Sequence, residues 1–431
     1  MRDRKQISIV GGSIWGNRGA EAMLMTTIFQ IWHYDPNLNF NVFSIYPEQD
    51  KQLLDDKRIE FLSGTPYAFA LIYFPFALFY KIFRSLGIEL ALPQNLEQLK
   101  ASQCLIDIGG ITFSDGRTLQ LLYNVFSIWP AMLLGVPVVK LSQALGPFEK
   151  ALNRILAKKF LPKCQFVVAR GEISEYHLET IGLPTRKYIQ AADIAFLFEP
   201  KYSFSSENED KITHLIKKLE LIKTEGKYLI SLIPSSLVLK QSKTAEINFI
   251  EKIITIITEA SKKRIHFIVL PNASREGTNS LMNNDLMPIQ AMRERIKEID
   301  SGDIPYAIDW VDYNINTRSI RELVGMSDAL ITSRFHGMIA GLCQCVPTMV
   351  IGWSHKYQET LADFGLEQYA IDYRAELKEI SNLFERFWSE REWIRKQLIQ
   401  KIENIKASSR DQFKILYDEI IKLAYTNNEQ Q

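Results

Sequence analysis

Asp328-Ala329-Leu330-Ile331-Thr332-Ser333-Arg334-Phe335-His336-Gly337-Met338-Ile339-Ala340-Gly341-Leu342 reads as a short buried strand, a polar turn and a small-residue helix in immediate succession. Arg334 and His336 stand where the helix begins. Unpaired N–H groups and the positive end of the helix dipole favour an anion there. A guanidinium and an imidazole added at that point suit a phosphate or a carboxylate. The same residues also serve as a salt-bridging arginine and a turn-capping histidine, and taken alone the two readings balance. Recurrence of the layout decides the fold. Ile7-Ser8-Ile9-Val10 runs into Gly11-Gly12 and then Gly16-Asn17-Arg18-Gly19-Ala20-Glu21-Ala22-Met23-Leu24, which is strand, glycine-rich turn and helix again. Phe166-Val167-Val168-Ala169-Arg170-Gly171-Glu172-Ile173-Ser174 repeats it, delivering an arginine just before a helix that stops at Gly182 and Pro184.

Between these stretches, short apolar runs bounded by turn residues predict parallel strands buried on both faces: Asn41–Ser44, Cys104–Ile108, Val136–Leu141 and Phe166–Ala169 in the first half. In the second half they fall at Tyr228–Ile233, Ile265–Leu270, Tyr306–Ile308, Ala329–Thr332 and Thr348–Ile351. Loops Gly109–Gly116 and Ser142–Pro147 follow strands, where open α/β sheets bind ligands, although such turns are also ordinary connectors. From Glu199 to Asp210 the composition shifts to Pro, Ser, Asn and charge, which marks a linker. The expected fold class is therefore α/β, with two Rossmann-like domains, 1–200 and 201–431, facing across a cleft. Glu376 to Ala424, charged and amphipathic with Trp388 and Trp393, predicts one or two C-terminal helices packing back over the body.

Composition narrows the function. A 431-residue chain is too long for one ordinary core. Its 51 basic and 50 acidic residues provide no global basic field, so nucleic acid is not an expected partner. The first glycine turn has neither the dinucleotide spacing nor a Walker lysine. Cys104, Cys164, Cys343 and Cys345 lack zinc-site spacing and read as reduced, buried thiols of an intracellular protein. The N-terminus carries no signal-peptide core, so a cytoplasmic location is expected. One segment adds to that. Tyr67 to Tyr80, YAFALIYFPFALFY, is uncharged, aromatic-rich and followed by Lys81 and Arg84. It is shorter than the roughly 20 apolar residues of a spanning helix. It reads either as a buried helix or as a patch dipping into the inner face of a membrane, a peripheral contact useful to an enzyme with a lipid-linked substrate.

Taken together, these motifs resemble the polysaccharide pyruvyl transferases. The resemblance rests on Gly16-Asn17-Arg18-Gly19-Ala20-Glu21, Gly109-Gly110 with Asp115, Gln143-Ala144-Leu145-Gly146-Pro147, Ala169-Arg170-Gly171-Glu172 with Ser174, and Asp193. Above all it rests on Ser333-Arg334-Phe335-His336-Gly337, then Val346-Pro347 and Lys356. The matching stretches run in order from about residue 7 to about residue 365. The chain departs from the family pattern at Ala20, where an acid is usual, beside Gly109-Gly110, where a third glycine is common, and at Ala144, often glycine. The change at Ala20 leaves room for a divergent acceptor or weakened activity.

The resemblance implies a GT-B-like fold and transfer of pyruvate from phosphoenolpyruvate onto a sugar of a cell-surface polysaccharide or its lipid-linked precursor. The product is a cyclic ketal, phosphate is released, and no cofactor or metal is called for. A donor carrying phosphate and carboxylate needs two strong cationic contacts, and Arg334 and Arg170 are the obvious pair. Ketal formation needs a proton donor and a proton acceptor. His336 suits that work by its ordinary pKa, and equally suits plain phosphate binding. The matched positions thus nominate His336, Arg334, Glu172 and Asp193 as catalytic, the last two also being ordinary helix-start or turn residues. They nominate Arg170, Ser333, Gly337, Asn17, Gly19, Glu21, Gly109, Gly110, Gln143 and Lys356 as substrate-binding, with His355 beside Lys356. Two other readings stand against this one: a GT-B glycosyltransferase using a nucleotide sugar, for which Glu359 would grip the ribose, and a non-catalytic relative from a glycan locus.

Overall fold

The computed structural model describes residues 6–202, 208–275, 283–299, 307–353 and 355–422. Two compact units emerge. The first comprises Met1–Trp15, Met23–Leu197 and Lys406–Gln431, and the second Gly16–Ala22 and Phe198–Ile405.

In the first unit, strands β1 (Gln6–Val10), β2 (Asn39–Ser44), β3 (Ile59–Ser63), β4 (Leu105–Asp107), β5 (Ile111–Thr112), β6 (Val138–Leu145), β7 (Phe166–Ala169) and β8 (Tyr188–Gln190) form one sheet. Its order is β3-β2-β1-β4-β6-β7-β8, with β5 beside β6, and every pairing is parallel. Central strands of such a sheet are covered on both faces, which is why β4 and β7 are buried at every position and β1 at all but its first, with β7 apolar throughout and the buried Ser8 of β1 and Asp107 of β4 bonded to Ser102 and Lys140. The order reverses between β1 and β4, so the glycine loops after these two strands lie side by side. Gly11, at φ +86°, is one consequence: a Cβ there would come within 2.5 Å of the Gly109 nitrogen.

The second unit repeats the plan with β9 (Tyr228–Ile233), β10 (Ile265–Val269), β11 (Ile308–Trp310), β12 (Ala329–Thr332), β13 (Thr348–Gly352) and β14 (Ala370–Asp372). All pairings are again parallel, in the order β11-β10-β9-β12-β13-β14, and the reversal falls between β9 and β12. Leu229, Ile233, Ile268 and Leu330 fill its core with Leu219 and Leu323 from covering helices.

The structure extends the sequence reading at the sheet edges. β3, β8 and β14 are short or half-polar strands that no apolar run announces; β3, for example, exposes Glu60 between buried neighbours. Of the expected strand Tyr306–Ile308, only the last residues lie among those described, and β11 continues to Trp310. The expected linker Glu199–Asp210 includes 203–207, which lie outside the described residues, and its end already belongs to the helix Glu209–Thr224. The C-terminal segment is one helix, Leu377–Leu416, closed by a π-helical turn at Tyr417–Ile421; Ala424 lies outside the described residues. This helix belongs to the second unit as far as Ile405 and to the first from Lys406 onward, where the sequence division kept 201–431 together.

Candidate functional site

In the second unit the carboxyl ends of β9 and β12 meet at the strand-order reversal, the position where open α/β sheets bind ligands. β12 delivers Ser333 and Arg334, and Arg334 is the N-cap of the helix Phe335–Leu342 in extended conformation. Thr332 shapes the turn: its hydroxyl accepts the Arg334 N–H at 2.9 Å and lies only 2.7 Å from where a side chain on Gly337 would begin. β9 ends just before Ser236. The Arg334 guanidinium donates from Nη2 to Ser236 Oγ at 2.9 Å. It grips Asp285 as a fork, with Nε 2.9 and 3.0 Å from the two carboxylate oxygens and Nη2 on Oδ1.

Asp285 is fully buried and also accepts the backbone N–H groups of Ser236 (2.8 Å), Asn272 (3.2 Å) and Ala273 (2.9 Å). Such a carboxylate is fixed, and it fixes the arginine. Asp285, Ser236 and Asn272 are absent from the sequence reading. Their signals are faint: a serine pair after the strand Tyr228–Ile233 and the polar turn Asn283-Asn284-Asp285. Arg334, which the sequence left open between an anion contact and a salt-bridging arginine, is ion-paired with a buried carboxylate, with its side chain 13% exposed.

The first glycine motif joins this turn. A Cβ on Gly19 would sit 2.2 Å from Nδ1 of His336, so the imidazole lies directly against the Gly19 backbone. Asn17 caps the helix Arg18–Tyr34, its Oδ1 accepting from Gly19 (3.0 Å) and Ala20 (3.4 Å). Arg18 and Glu21 form a buried pair at 2.7 Å; Glu21 accepts Thr317 N–H at 3.1 Å, and Thr317 Oγ1 returns a bond to the Arg18 carbonyl. Glu21, expected at the substrate, is fully buried and serves instead to staple residues 16–22 to the second unit.

Lys356 places its ammonium 4.9 Å from the Phe335 ring. Neighbouring Tyr357 donates to the Ser333 carbonyl at 2.9 Å, and burial drives its pKa upward, which keeps it a neutral donor. Ser333 is buried. The side chain of His355 lies outside the described residues.

The first unit gathers the remaining candidates. Arg170, at the end of β7, donates from Nη1 to Asp193 Oδ2 at 2.6 Å, and Asp193 Oδ1 accepts the Ala195 N–H at 2.8 Å. Gly110 lies beside them, its missing Cβ 3.5 Å from the same Nη1. The Arg170 N–H bonds the Gln143 carbonyl at 2.8 Å. The Gln143 side chain, expected to meet substrate, is fully buried and bonded to Thr112 and to the Asp107 carbonyl, so it is part of the frame. Asp193, nominated as catalytic, is 1% exposed and committed to Arg170. Gly109 donates to Asp107 Oδ1 at 2.8 Å, and Asp107 is also paired with the fully buried Lys140. Glu172 is exposed in the first turn of the helix Glu172–Thr180. Asp115 caps a loop, accepting from Glu149 and Lys150 N–H groups at 2.9 and 3.1 Å.

Comparison with known proteins gives these motifs a context. The chain is 23% identical over 381 residues to the amylovoran biosynthesis protein AmsJ of Erwinia amylovora, covering 85% of this chain and 88% of that one. Among solved structures it resembles a putative UDP-N-acetylglucosamine 2-epimerase from Listeria monocytogenes (TM-score 0.60, 10% identity, 96% of each chain). It also resembles the UDP-GlcNAc 2-epimerase from Neisseria meningitidis bound to UDP-GlcNAc (TM-score 0.55, 13% identity, 96% of this chain and all of that one). Anabaena HepE in complex with UDP-glucose is similar too (TM-score 0.54, 9% identity, 96% and 100% covered). At such identities the likeness is one of fold, and the fold is GT-B-like. A sequence profile described as polysaccharide pyruvyl transferase matches residues 17–355, from the asparagine that caps the first helix to the segment after β13, and the chain belongs to that family.

Proposed function

We propose that this pyruvyl transferase takes its pyruvyl group from phosphoenolpyruvate and places it on two hydroxyls of one sugar, in a cell-surface polysaccharide or its lipid-linked precursor, with release of phosphate. The observation that carries the reading is the turn after β12. Arg334 is oriented there by a buried aspartate and a serine, at the start of a helix, with His336 two residues on and seated against Gly19. A planar fork in fixed orientation and a helix N-terminus both favour an anion.

In the reaction, the methylene carbon of phosphoenolpyruvate takes a proton and C2 becomes cationic. Two sugar hydroxyls form C–O bonds to C2, and the bond from C2 to the phosphate oxygen breaks. Of the two hydroxyl protons, one replaces the proton delivered to the methylene and the other leaves with phosphate. His336 is the group assigned to move these protons, as general acid–base catalysis requires a titratable side chain at the reacting atoms. Arg334 is assigned to the donor's anionic end. Arg170, held by Asp193, is a second guanidinium of the same kind, assigned to an anionic or hydroxyl group of a substrate, with Glu172 exposed nearby in sequence.

Phosphoenolpyruvate should raise the melting temperature of the purified protein, stabilisation reaching about 2.7 kcal/mol when the ligand is at about 100 times its Kd. Phosphate should then appear with a suitable glycan. Because the solved structures of similar fold include complexes with UDP-glucose and UDP-GlcNAc, those nucleotide sugars form the second arm. Stabilisation by a nucleotide sugar and none by phosphoenolpyruvate would replace this reading with glycosyl transfer. Failure of both, with no phosphate released on any acceptor, would favour a non-catalytic relative.

A further inference from the structure

Three helical segments cover one part of the first unit: Ala68–Ser85, made of a π-helical turn and an α-helix, Thr118–Leu134, and Ala151–Phe160. They are packed side by side through aromatic rings. Phe69 meets Tyr123 at 6.1 Å, Phe74 meets Trp129 at 4.4 Å, and Trp129 meets Phe160 at 5.0 Å. The first segment buries Phe69, Tyr73, Ala77 and Tyr80 in the core. A half-buried amphipathic helix should be polar on its other side. This one is not. Leu71, Phe79 and Ile82 recur at helical spacing on the opposite face, followed by Leu86 just past the helix end, and each is exposed by 46% or more. Of Ala68–Ser85, the one helical stretch among the described residues long and apolar enough to cross a bilayer, only 22% is buried. The neighbouring helices add to the surface, Thr118–Leu134 with exposed Leu119 and Ala151–Phe160 with exposed Leu152 and Ile155.

Charge on this layer is one-sided. The three segments contain Lys81, Arg84, Arg154, Lys158 and Lys159 and not one Asp or Glu, in a chain whose totals of basic and acidic residues differ by one. All five are exposed. Apolar side chains among cations, in three segments without an acidic residue, form a surface complementary to an anionic bilayer, where the aliphatic and aromatic groups enter the acyl boundary and the ammonium and guanidinium groups meet lipid phosphates. The buried face of Ala68–Ser85 belongs to the core of the unit, so a helix held in this way can lie along a bilayer surface but not span it.

We propose that the helical layer Ala68–Ser85, Thr118–Leu134 and Ala151–Phe160 is a monotopic docking surface for a membrane rich in anionic lipid. The proposal is independent of the donor and acceptor, and its test needs neither. Full-length protein is floated with vesicles of phosphatidylglycerol mixed equally with phosphatidylcholine, and with vesicles of phosphatidylcholine alone. Wild type should float with the first, weakly or not with the second, and release as salt is raised. Two double variants at exposed positions follow: Phe79→Ser with Ile82→Ser, and Lys81→Glu with Arg84→Glu. Each should reduce binding to anionic vesicles by about ten-fold or more, at unchanged melting temperature. Wild type that stays unbound with both vesicle types overturns the proposal, as does equal flotation of wild type and both variants. Sedimentation velocity supplies the remaining arm: a wild-type dimer split by Phe79→Ser with Ile82→Ser, with no vesicle binding, would make the layer a contact between copies of this chain and overturn the membrane assignment.

Discussion

Each arginine nominated from the sequence is met by an aspartate that is almost wholly buried, Arg334 by Asp285 and Arg170 by Asp193. This changes what a mutation measures. An alanine at either arginine does not merely remove a ligand contact; it strands a carboxylate in the interior, a change that typically costs about 3–5 kcal/mol. Arg334→Ala should therefore lower the urea midpoint substantially as well as abolish phosphoenolpyruvate binding. Arg334→Lys keeps the charge beside Asp285 but loses the planar fork, so it should retain most of the stability while phosphoenolpyruvate affinity falls by about ten-fold or more. Calorimetric titration of the two variants beside their unfolding curves separates the effects. Equal affinity of Arg334→Lys and wild type would remove Arg334 from the donor site.

At the scale of elements, the turn after β12 and the start of the first helix form one packed object. His336 occupies the space that a side chain on residue 19 would need, which is the physical reason for glycine there. Gly19→Ala should force the imidazole from its position, at a cost of about 1–3 kcal/mol by overpacking. Turnover should fall further than that loss of stability accounts for, since the ring assigned to proton transfer is the one displaced. A variant that unfolds normally but shows unchanged kcat would separate His336 from the chemistry. Arg18, Glu21 and Thr317 act at the same scale, closing the start of one helix against the start of another through side chain and backbone together.

At the scale of the whole molecule, each unit is assembled from distant parts of the chain. The C-terminal helix ends in the first unit beside Asp193: Ser409 donates to the Asp193 carbonyl at 3.0 Å, and Gln412 bonds both the Ala192 carbonyl (3.0 Å) and Ser142 Oγ (3.2 Å). Gln412 is fully buried. Gln412→Ala should therefore cost about 1–3 kcal/mol by leaving these buried groups unsatisfied, measured by denaturant unfolding. It should also loosen the loop that aims Asp193 at Arg170, which amide hydrogen exchange at Ala192 to Ala195 would report. Unchanged exchange there would limit the helix end to a packing role.

Much of this was legible in the sequence because it is local. A parallel strand buried on both faces is mostly apolar, so β7, β9 and β12 could be read from single runs, and the turn Ser333–Gly337 announced itself by placing an arginine and a histidine at a helix start. Edge strands escaped because one side of them faces water and their pattern is mixed. Other features depend on what meets what in space. Nothing in Gly16–Glu21 reveals that Glu21 bonds Thr317, 296 positions later in the chain, and nothing near Arg334 names Asp285 as its partner. Glu21 and Gln143 look like ligand contacts in a motif and are fully buried supports in the folded chain. A sequence records which groups are present and their local spacing; burial and counter-charge arise only when separate strand ends converge, and these decided which of the motif residues became buried parts of the frame.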